Sequence, residues 1–128
     1  MTTLDEEATM AGKLVHFELP AGDAERAKGF WSGVFGWEFG DSAMPDMEYS
    51  MVRTGDDQGG AVMSSEGPFG IVVYFDTDDI DASIAKVREH GGKAEDKMPI
   101  PHVGWFAHCS DTEGNDFSLF QSDESVTG

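Results

Sequence analysis

Two short predicted strands each carry a candidate functional side chain, followed two residues later by a carboxylate. His16 and Glu18 lie in the first of these strands, and Tyr74 and Asp76 lie in the second. Because alternate residues of a strand share one face, the two members of each pair point the same way, whereas the apolar face of the first strand, which includes Leu19, is expected to pack on a helix. Two carboxylates that approach each other can raise one another's pKa and serve acid/base chemistry. Glu18 and Asp76 are therefore catalytic candidates; the alternative is that they are solvated acids at strand ends.

The C-terminal part of the chain adds a second group of candidates. His108 and Cys109 alternate on a predicted strand, so only one of them can point into a binding site. His108 is a third catalytic candidate and could pair with His16 in a metal or acid/base site. The alternative is a hydrogen-bonded histidine of the sheet. Cys109, the single cysteine, is expected to be a small core residue rather than a nucleophile.

An internal repeat places these residues in two copies of one unit. Residues 14–35 are predicted to form a strand, a tight Pro-Ala-Gly connection and an amphipathic helix, and residues 71–87 are a weaker copy. Within the helices, residues 23–28 and 81–86 read DAERAK and DASIAK, with four of six residues identical. Repetition of this kind indicates two similar structural units in one chain.

Each copy is predicted to contain one helix and four strands. Asp23, and either Asp78 or Asp79, are expected to cap the two helices. The apolar stripe of the first helix includes Phe30 and Trp31, and that of the second helix includes Ile80 and Ile84. Residues 98–101, which contain two prolines, are expected to form a loop. The predicted strands are residues 13–19, 37–40, 48–53, 61–63, 71–76, 93–97, 105–110 and 117–121.

The resulting order, βαβββ twice, predicts an α+β fold. One unit alone would leave a sheet face uncovered, so two tandem modules are expected to form a curved mixed sheet around a central cleft, with the helices outside. Tyr74, Ser118 and Phe120 are expected to join His16 there as ligand-binding residues, which suits a flat or partly apolar small molecule. The expected organisation is a single domain at 13–121, with modules at 13–63 and 71–121 and flexible tails at 1–12 and 122–128.

The composition argues against several classes of partner. The chain has 128 residues, of which 39% are hydrophobic, enough for one compact domain with a core. Its formal charge is −17, from 25 acids and 8 bases, whereas nucleic-acid binding needs basic surface. Neither a secretory signal nor a membrane span is recognisable. We therefore expect a cytoplasmic protein with no nucleic-acid or membrane partner.

Four segments together form a family pattern. They are VHFELPAGDAERAKGFWSGVFGWEF at 15–39, GGAVM at 59–63, VVYFDTDDIDASIAKV at 72–87 and GWFAHCSDTEGNDFSLFQ at 104–121. On these segments the chain resembles the vicinal oxygen chelate superfamily, which includes glyoxalase I, bleomycin-resistance proteins and extradiol dioxygenases. Within it, the chain looks most like the small two-module glyoxalase-like proteins.

The resemblance implies a divalent metal site, which can be compared with this sequence position by position. In the superfamily's enzymes the ligands are commonly His on the first strand and Glu on the last strand of each module. His16 matches the first position, so the implied Zn, Ni, Mn or Fe(II) ion would be bound at His16. The other ligands are missing, because Tyr74 and Ser118 occupy two of the positions and Ala61 or Val62 occupies the remaining one.

Two functions are compatible with this pattern. The first is metal-free binding of a small aromatic or cationic molecule, as in the bleomycin-resistance branch, which the missing ligands and the acidic charge favour. The alternative is a metal-dependent lyase, isomerase or dioxygenase that uses His16 with partners such as His108 or Glu18. A scaffold that serves as an interaction domain is a third reading. The resemblance also implies a homodimer, for which the apolar surface around Trp37 is available.

Overall fold

The computed structural model describes residues 12–42 and 47–127. Within these residues the chain has the predicted α+β architecture, and neither described helix is long and apolar enough to cross a lipid bilayer. The chain divides into two compact units, residues 15–72 and residues 73–127 with 12–14. The elements are β1 Leu14–Ala21, α1 Ala24–Phe35, β2 Tyr49–Gly55, β3 Gln58–Ser64, β4 Val72–Asp76, α2 Ile80–Glu89, β5 Lys93–Ala94, β6 Met98–Ile100, β7 Gly104–Ser110 and β8 Asp116–Ser122.

In the unit of residues 15–72, β3 is the central strand. It pairs in parallel with β1 and antiparallel with β2. Asp23 caps α1 as predicted, because its carboxylate accepts from the Arg26 N–H at 3.0 Å, and Gly36 ends the helix with a φ of 74°. The helix packs on the sheet face that carries Leu19 and Val62, which confirms the predicted core face of β1.

The same unit differs from the sequence prediction in three places. The strand predicted at 61–63 is longer, Gln58–Ser64. The first strand continues through Pro20 to Ala21, whose carbonyl accepts from the Ser65 N–H at 2.9 Å. Residues 37–40, predicted as a strand, are not one. There the Trp37 ring stacks on Trp31 at 5.4 Å, so the segment is held by ring packing, and the Gly40 N–H donates to the Met51 carbonyl.

In the second unit, β8 lies between β4 and β7. It pairs in parallel with β4 and antiparallel with β7, while β5 and β6 both pair antiparallel with β7. Of the two predicted caps of α2, Asp79 is the actual one, accepting from the Ala82 N–H at 3.0 Å. The core consists of residues that α2 and the strands β7 and β8 contribute: Ile80, Ile84, Ala107, Cys109 and Leu119. Cys109 is thus the buried core residue that the sequence predicts.

Two boundaries of the second unit differ from the prediction. The strand expected at 93–97 is only Lys93–Ala94, and the expected loop at 98–101 contains β6, because Pro99 can occupy an edge strand without needing an N–H.

The tail expected at 122–128 begins within β8. Val126 is buried, and its carbonyl accepts from the His102 N–H at 2.9 Å, so this segment is packed. The other expected tail falls on residues 1–12, of which 1–11 lie outside the described residues.

Candidate functional site

Three polar side chains of the first unit share one face of its sheet. Pairing between β1 and β3 sets Glu18 beside Ala61, and pairing between β2 and β3 sets Tyr49 beside Met63. Directly paired residues point to the same side of a sheet, as do residues two apart on a strand. His16, Glu18 and Tyr49 therefore lie on the face opposite the α1 core.

These three side chains form a hydrogen-bonded chain. The Tyr49 hydroxyl donates to Glu18 Oε2 at 2.7 Å, and the hydroxyl oxygen of Tyr49 lies 2.9 Å from His16 Nε2. The Tyr49 and His16 rings are nearly parallel, with centroids 6.4 Å apart. Sequence reasoning does not single out Tyr49, because it lies 33 positions from His16 and only the pairing across β3 brings them together.

The environment of His16 favours the neutral imidazole. Burial lowers the pKa of His16, and the negative charge of Glu18 opposes this effect without cancelling it. A histidine with a lowered pKa takes up its second proton less readily in the folded chain than in the unfolded chain. Protonation therefore favours unfolding.

We expect the stability of the protein to fall as the pH drops below the unfolded His pKa of about 6.5, and the loss to level off below the folded pKa. His16→Gln should flatten this part of the profile, measured by urea unfolding at pH values from 8 to 5. His90→Gln is the matched control, because His90 is exposed at the end of α2, and it should keep the wild-type slope. Equal slopes for wild type and His16→Gln would contradict the expectation.

The second unit carries the other predicted site residues on one face of its sheet. Tyr74, Ser118 and His108 are paired in one row across β4, β8 and β7, and Asp76 and Phe120 are paired in the next row. His108 Nδ1 lies 2.9 Å from Ser118 Oγ, which matches the alternative reading of His108 as a hydrogen-bonded sheet histidine. Burial raises the pKa of Asp76. The predicted approach of Asp76 to Glu18 stays a prediction.

The donor atoms on these two faces do not fit a tight divalent metal site. Among residues 12–42 and 47–127, no three His, Cys, Asp or Glu side chains are arranged to hold a metal ion. His16 Nε2 and the Glu18 carboxylate are bridged by a phenol, and the second face offers Tyr74 and Ser118 where carboxylates or imidazoles are needed. Burial raises the pKa of Cys109 to about 11, so this thiol stays protonated near neutral pH, as expected for a core residue.

A cavity of about 710 Å³ lies elsewhere in the first unit. It opens beside Trp37 and the β2–β3 turn, and neither His16 nor Glu18 lines it. Its walls combine Trp37 and Met51 with Arg53 and the acids Glu38, Asp56 and Asp57. The cavity is therefore a second place where a small molecule can be sought, and any binding experiment has to separate the two.

Known proteins resemble this chain along most of its length. The sequence pattern of the family described as bleomycin resistance protein-like N-terminal matches residues 13–55. A glyoxylase-like domain-containing protein of Didymella fabae is 36% identical over 118 residues, which cover 84% of this chain and 92% of that protein. CFP32 of Mycobacterium bovis, whose name describes it as a glyoxylase, is 32% identical over 116 residues, which cover 86% of this chain but only 44% of that protein.

Solved structures share the fold. Methylmalonyl-CoA epimerase from Mycobacterium tuberculosis superposes with a TM-score of 0.70 at 14% identity, over 96% of this chain and 93% of that one. An extradiol ring-cleaving dioxygenase from B. fuscum gives 0.68 at 15% identity, over 92% of this chain and 34% of that one. At these identities the likeness is one of fold alone. The Didymella relative, which is 36% identical and is covered over 92% of its length, shows that the chain belongs to the glyoxalase-like proteins of the vicinal oxygen chelate superfamily, and the shared fold agrees with this assignment.

Proposed function

We propose that this protein binds a small aromatic or cationic molecule, without a metal ion, on the face that carries His16, Glu18 and Tyr49. The observation that carries the proposal is the hydrogen-bonded chain from Glu18 through Tyr49 to His16. These hydrogen bonds engage His16 Nε2 and the Glu18 carboxylate, which a metal ion would need as ligands. They leave a polar cluster beside the aromatic ring of Tyr49.

The charge of the cluster supports a cationic ligand. Glu18 is partly buried, and it forms no salt bridge within the part of the chain that the structure describes. Its hydrogen-bond donor is a neutral phenol, and the nearby His16 favours its neutral form. A partly desolvated carboxylate without a cationic partner is costly, so a ligand that brings a positive charge is favoured. The net charge of −17 would also attract such a ligand over a distance.

The flat ring of Tyr49 supports an aromatic component. It lies next to the carboxylate of Glu18 and nearly parallel to the imidazole of His16. Aromatic faces bind both other rings and organic cations. On the second unit, Tyr74, Ser118 and Phe120 share one face and remain proposed ligand-binding residues.

The alternative function is a metal-dependent lyase, isomerase or dioxygenase. Its support is the fold, which is shared with proteins described as an epimerase and a ring-cleaving dioxygenase, and the names of the glyoxylase-like relatives. It would require His16 Nε2 to exchange the Tyr49 hydroxyl for an ion. Partners such as Glu18 or His108 would then have to complete the ligand set.

The decisive experiment uses three probes with the same ring and different charge: benzylammonium, benzyl alcohol and benzoate. We expect benzylammonium to bind about tenfold more tightly than benzyl alcohol, a difference of about 1.4 kcal/mol, and benzoate to bind more weakly still. Isothermal titration at pH 7.5, with and without EDTA, measures the affinities. Glu18→Gln should abolish the preference for the cation, because it removes the charge and keeps the shape of the side chain.

Glu38→Gln is the matched control. It removes one carboxylate from the same unit, at the cavity beside Trp37, and should leave benzylammonium binding unchanged. Loss of binding in Glu38→Gln but not in Glu18→Gln would move the site to that cavity. Loss of binding in EDTA would favour the metal-dependent alternative. Equal affinity for all three probes would reject the proposed cationic ligand.

The homodimer and the cytoplasmic location also remain proposals. Large apolar side chains of α1 are exposed, with Phe30 and Phe35 both at 59%, and Phe35 packs against Trp37 with ring centroids 5.3 Å apart. This surface supports the proposed use of the region around Trp37 by a second copy of the chain.

Phe30 and Trp31 are both predicted to belong to the apolar stripe of the first helix. In the structure Trp31 packs against the core of the first unit, whereas Phe30 is exposed.

A further inference from the structure

We propose that Tyr49 is a positioning residue that holds His16 as its Nε2–H tautomer and thereby keeps that nitrogen from binding a metal ion. The inference rests on the proposed function, because it concerns the same site, and it identifies the residue that decides which ligands His16 can take. The geometry that supports it is the position of the Tyr49 oxygen, 2.7 Å from Glu18 Oε2 and 2.9 Å from His16 Nε2.

The phenol has a single proton, and both Glu18 and His16 lie within hydrogen-bond distance of its oxygen. A carboxylate can only accept hydrogen bonds, so the phenol proton points to Glu18. The phenol oxygen then presents its lone pairs to His16, and a hydrogen bond between them requires a proton on Nε2. A neutral imidazole has one N–H, so the lone pair of the ring lies on Nδ1.

The surroundings of His16 agree with this assignment. Burial lowers the pKa of His16, so the neutral ring, with its single proton, is the form present near neutral pH. If the ring were doubly protonated, it would also donate to Tyr49, but it would carry a positive charge in a partly desolvated position. The hydrogen-bonded chain fixes the tautomer, and burial keeps the ring neutral.

Tyr49 is held firmly enough to perform this role. It is the first residue of β2, it is buried, and it is paired with Met63 of β3. Its backbone N–H donates to Ser42 Oγ at 2.9 Å, and its ring lies at 16° to the imidazole of His16. The ring of Tyr49 is therefore held beside Glu18 and His16 by the start of the strand.

This arrangement has a direct consequence for metal binding. An ion at His16 Nε2 needs the lone pair of that nitrogen, so binding requires its proton to move to Nδ1 and the phenol oxygen to leave Nε2. Phenylalanine at position 49 would keep the ring and remove the oxygen. His16 and Glu18 lie two residues apart on one face of β1, and His16 Nε2 and the Glu18 carboxylate would both lose the phenol as a hydrogen-bond partner. A divalent ion would then no longer have to compete with the phenol for these two groups.

The test is the tautomer of His16, read from long-range ¹H–¹⁵N NMR spectra of the full chain at pH 7.5. The His16 signal is assigned by its loss in His16→Gln. We expect the Nε2–H pattern in wild type and a population shift towards Nδ1–H in Tyr49→Phe. Zn²⁺ should then perturb the His16 signals of Tyr49→Phe at a concentration at least tenfold lower than in wild type. His108, hydrogen-bonded to Ser118 in the other unit, is an internal control that should show the same tautomer in both proteins.

Several results would overturn the proposal. A wild-type His16 that is Nδ1–H, or doubly protonated at pH 7.5, would do so without any variant, even if Tyr49→Phe fails to fold. An unchanged tautomer or an equal Zn²⁺ response in a folded Tyr49→Phe would do so as well. Benzylammonium binding is a separate measurement, so its absence alongside an intact Nε2–H pattern would count against the proposed function alone.

Discussion

Gly104→Ala is expected to lower the free energy of unfolding by about 3 kcal/mol, the largest effect of a single methyl group that we foresee in this chain. A Cβ atom at Gly104 would lie 2.0 Å from the carbonyl oxygen of Gln121 and 3.0 Å from its carbonyl carbon. These are backbone atoms of β8, which is hydrogen-bonded to β7, so no flexible side chain can move aside to make room. Strands β7 and β8 would have to separate, and they carry His108 and Ser118. A lower thermal midpoint, by roughly 10 °C, would be the measured result.

Gly29→Ala is the matched control for this substitution. Gly29 lies inside α1, and a Cβ atom there would meet no other heavy atom within 4 Å. Alanine in a helix interior restricts the unfolded chain and is favoured over glycine by about 0.5–1 kcal/mol. The same chemical change should therefore raise the thermal midpoint. If both variants shifted the midpoint in the same direction, the close packing of β7 on β8 would not explain the loss in Gly104→Ala.

Ile80→Ala is expected to cost about 2–5 kcal/mol of stability, because it removes three carbon atoms from the centre of the second unit. Ile80 is only 1% exposed and packs with Ile84, Ala107 and Leu119. The surrounding sheet can close only part of the resulting cavity, so lost packing adds to the lost hydrophobic transfer free energy. Urea unfolding measured by circular dichroism would show a lower midpoint with an unchanged slope.

Ile71→Ala is the control for that measurement. Ile71 is 59% exposed, so the same truncation removes little buried surface and should change the unfolding free energy by less than about 0.5 kcal/mol. A large loss in Ile71→Ala would mean that this side chain is covered in solution. A small loss in Ile80→Ala would contradict the assigned core of the second unit.

The sequence by itself determined the repeated units, the two helices and their core faces. Helical spacing identified Ile80 and Ile84 as buried, and strand alternation placed Leu19 towards the helix and His16 and Glu18 on the opposite face. Patterns with a period of 2 or 3.6 residues depend only on local geometry, so they can be read from neighbouring residues. The segments that carry the family resemblance are local in the same sense.

Irregular segments were less predictable from the sequence. Residues 37–40 alternate like a strand, but in the structure the Trp37 ring stacks on Trp31 of α1 and the segment forms no strand. Residues 98–101 contain two prolines and were expected to be a loop, yet β6 forms there by pairing with β7. Both outcomes depend on partners far away in the chain, which local propensity does not contain.

The candidate site was decided by the tertiary structure. The sequence identified His16 and Glu18 because they lie two residues apart on one strand, and it showed that the expected metal ligands were missing. It could not identify Tyr49 as their partner, because that contact depends on the register of β2 on β3 and of β3 on β1. A side chain on one strand has a fixed direction, but the residue that it meets is set by strands that the chain brings together only on folding. The sequence thus determines which residue types the site contains, whereas the hydrogen bond from His16 to Tyr49, which determines the tautomer of His16, depends on the tertiary structure.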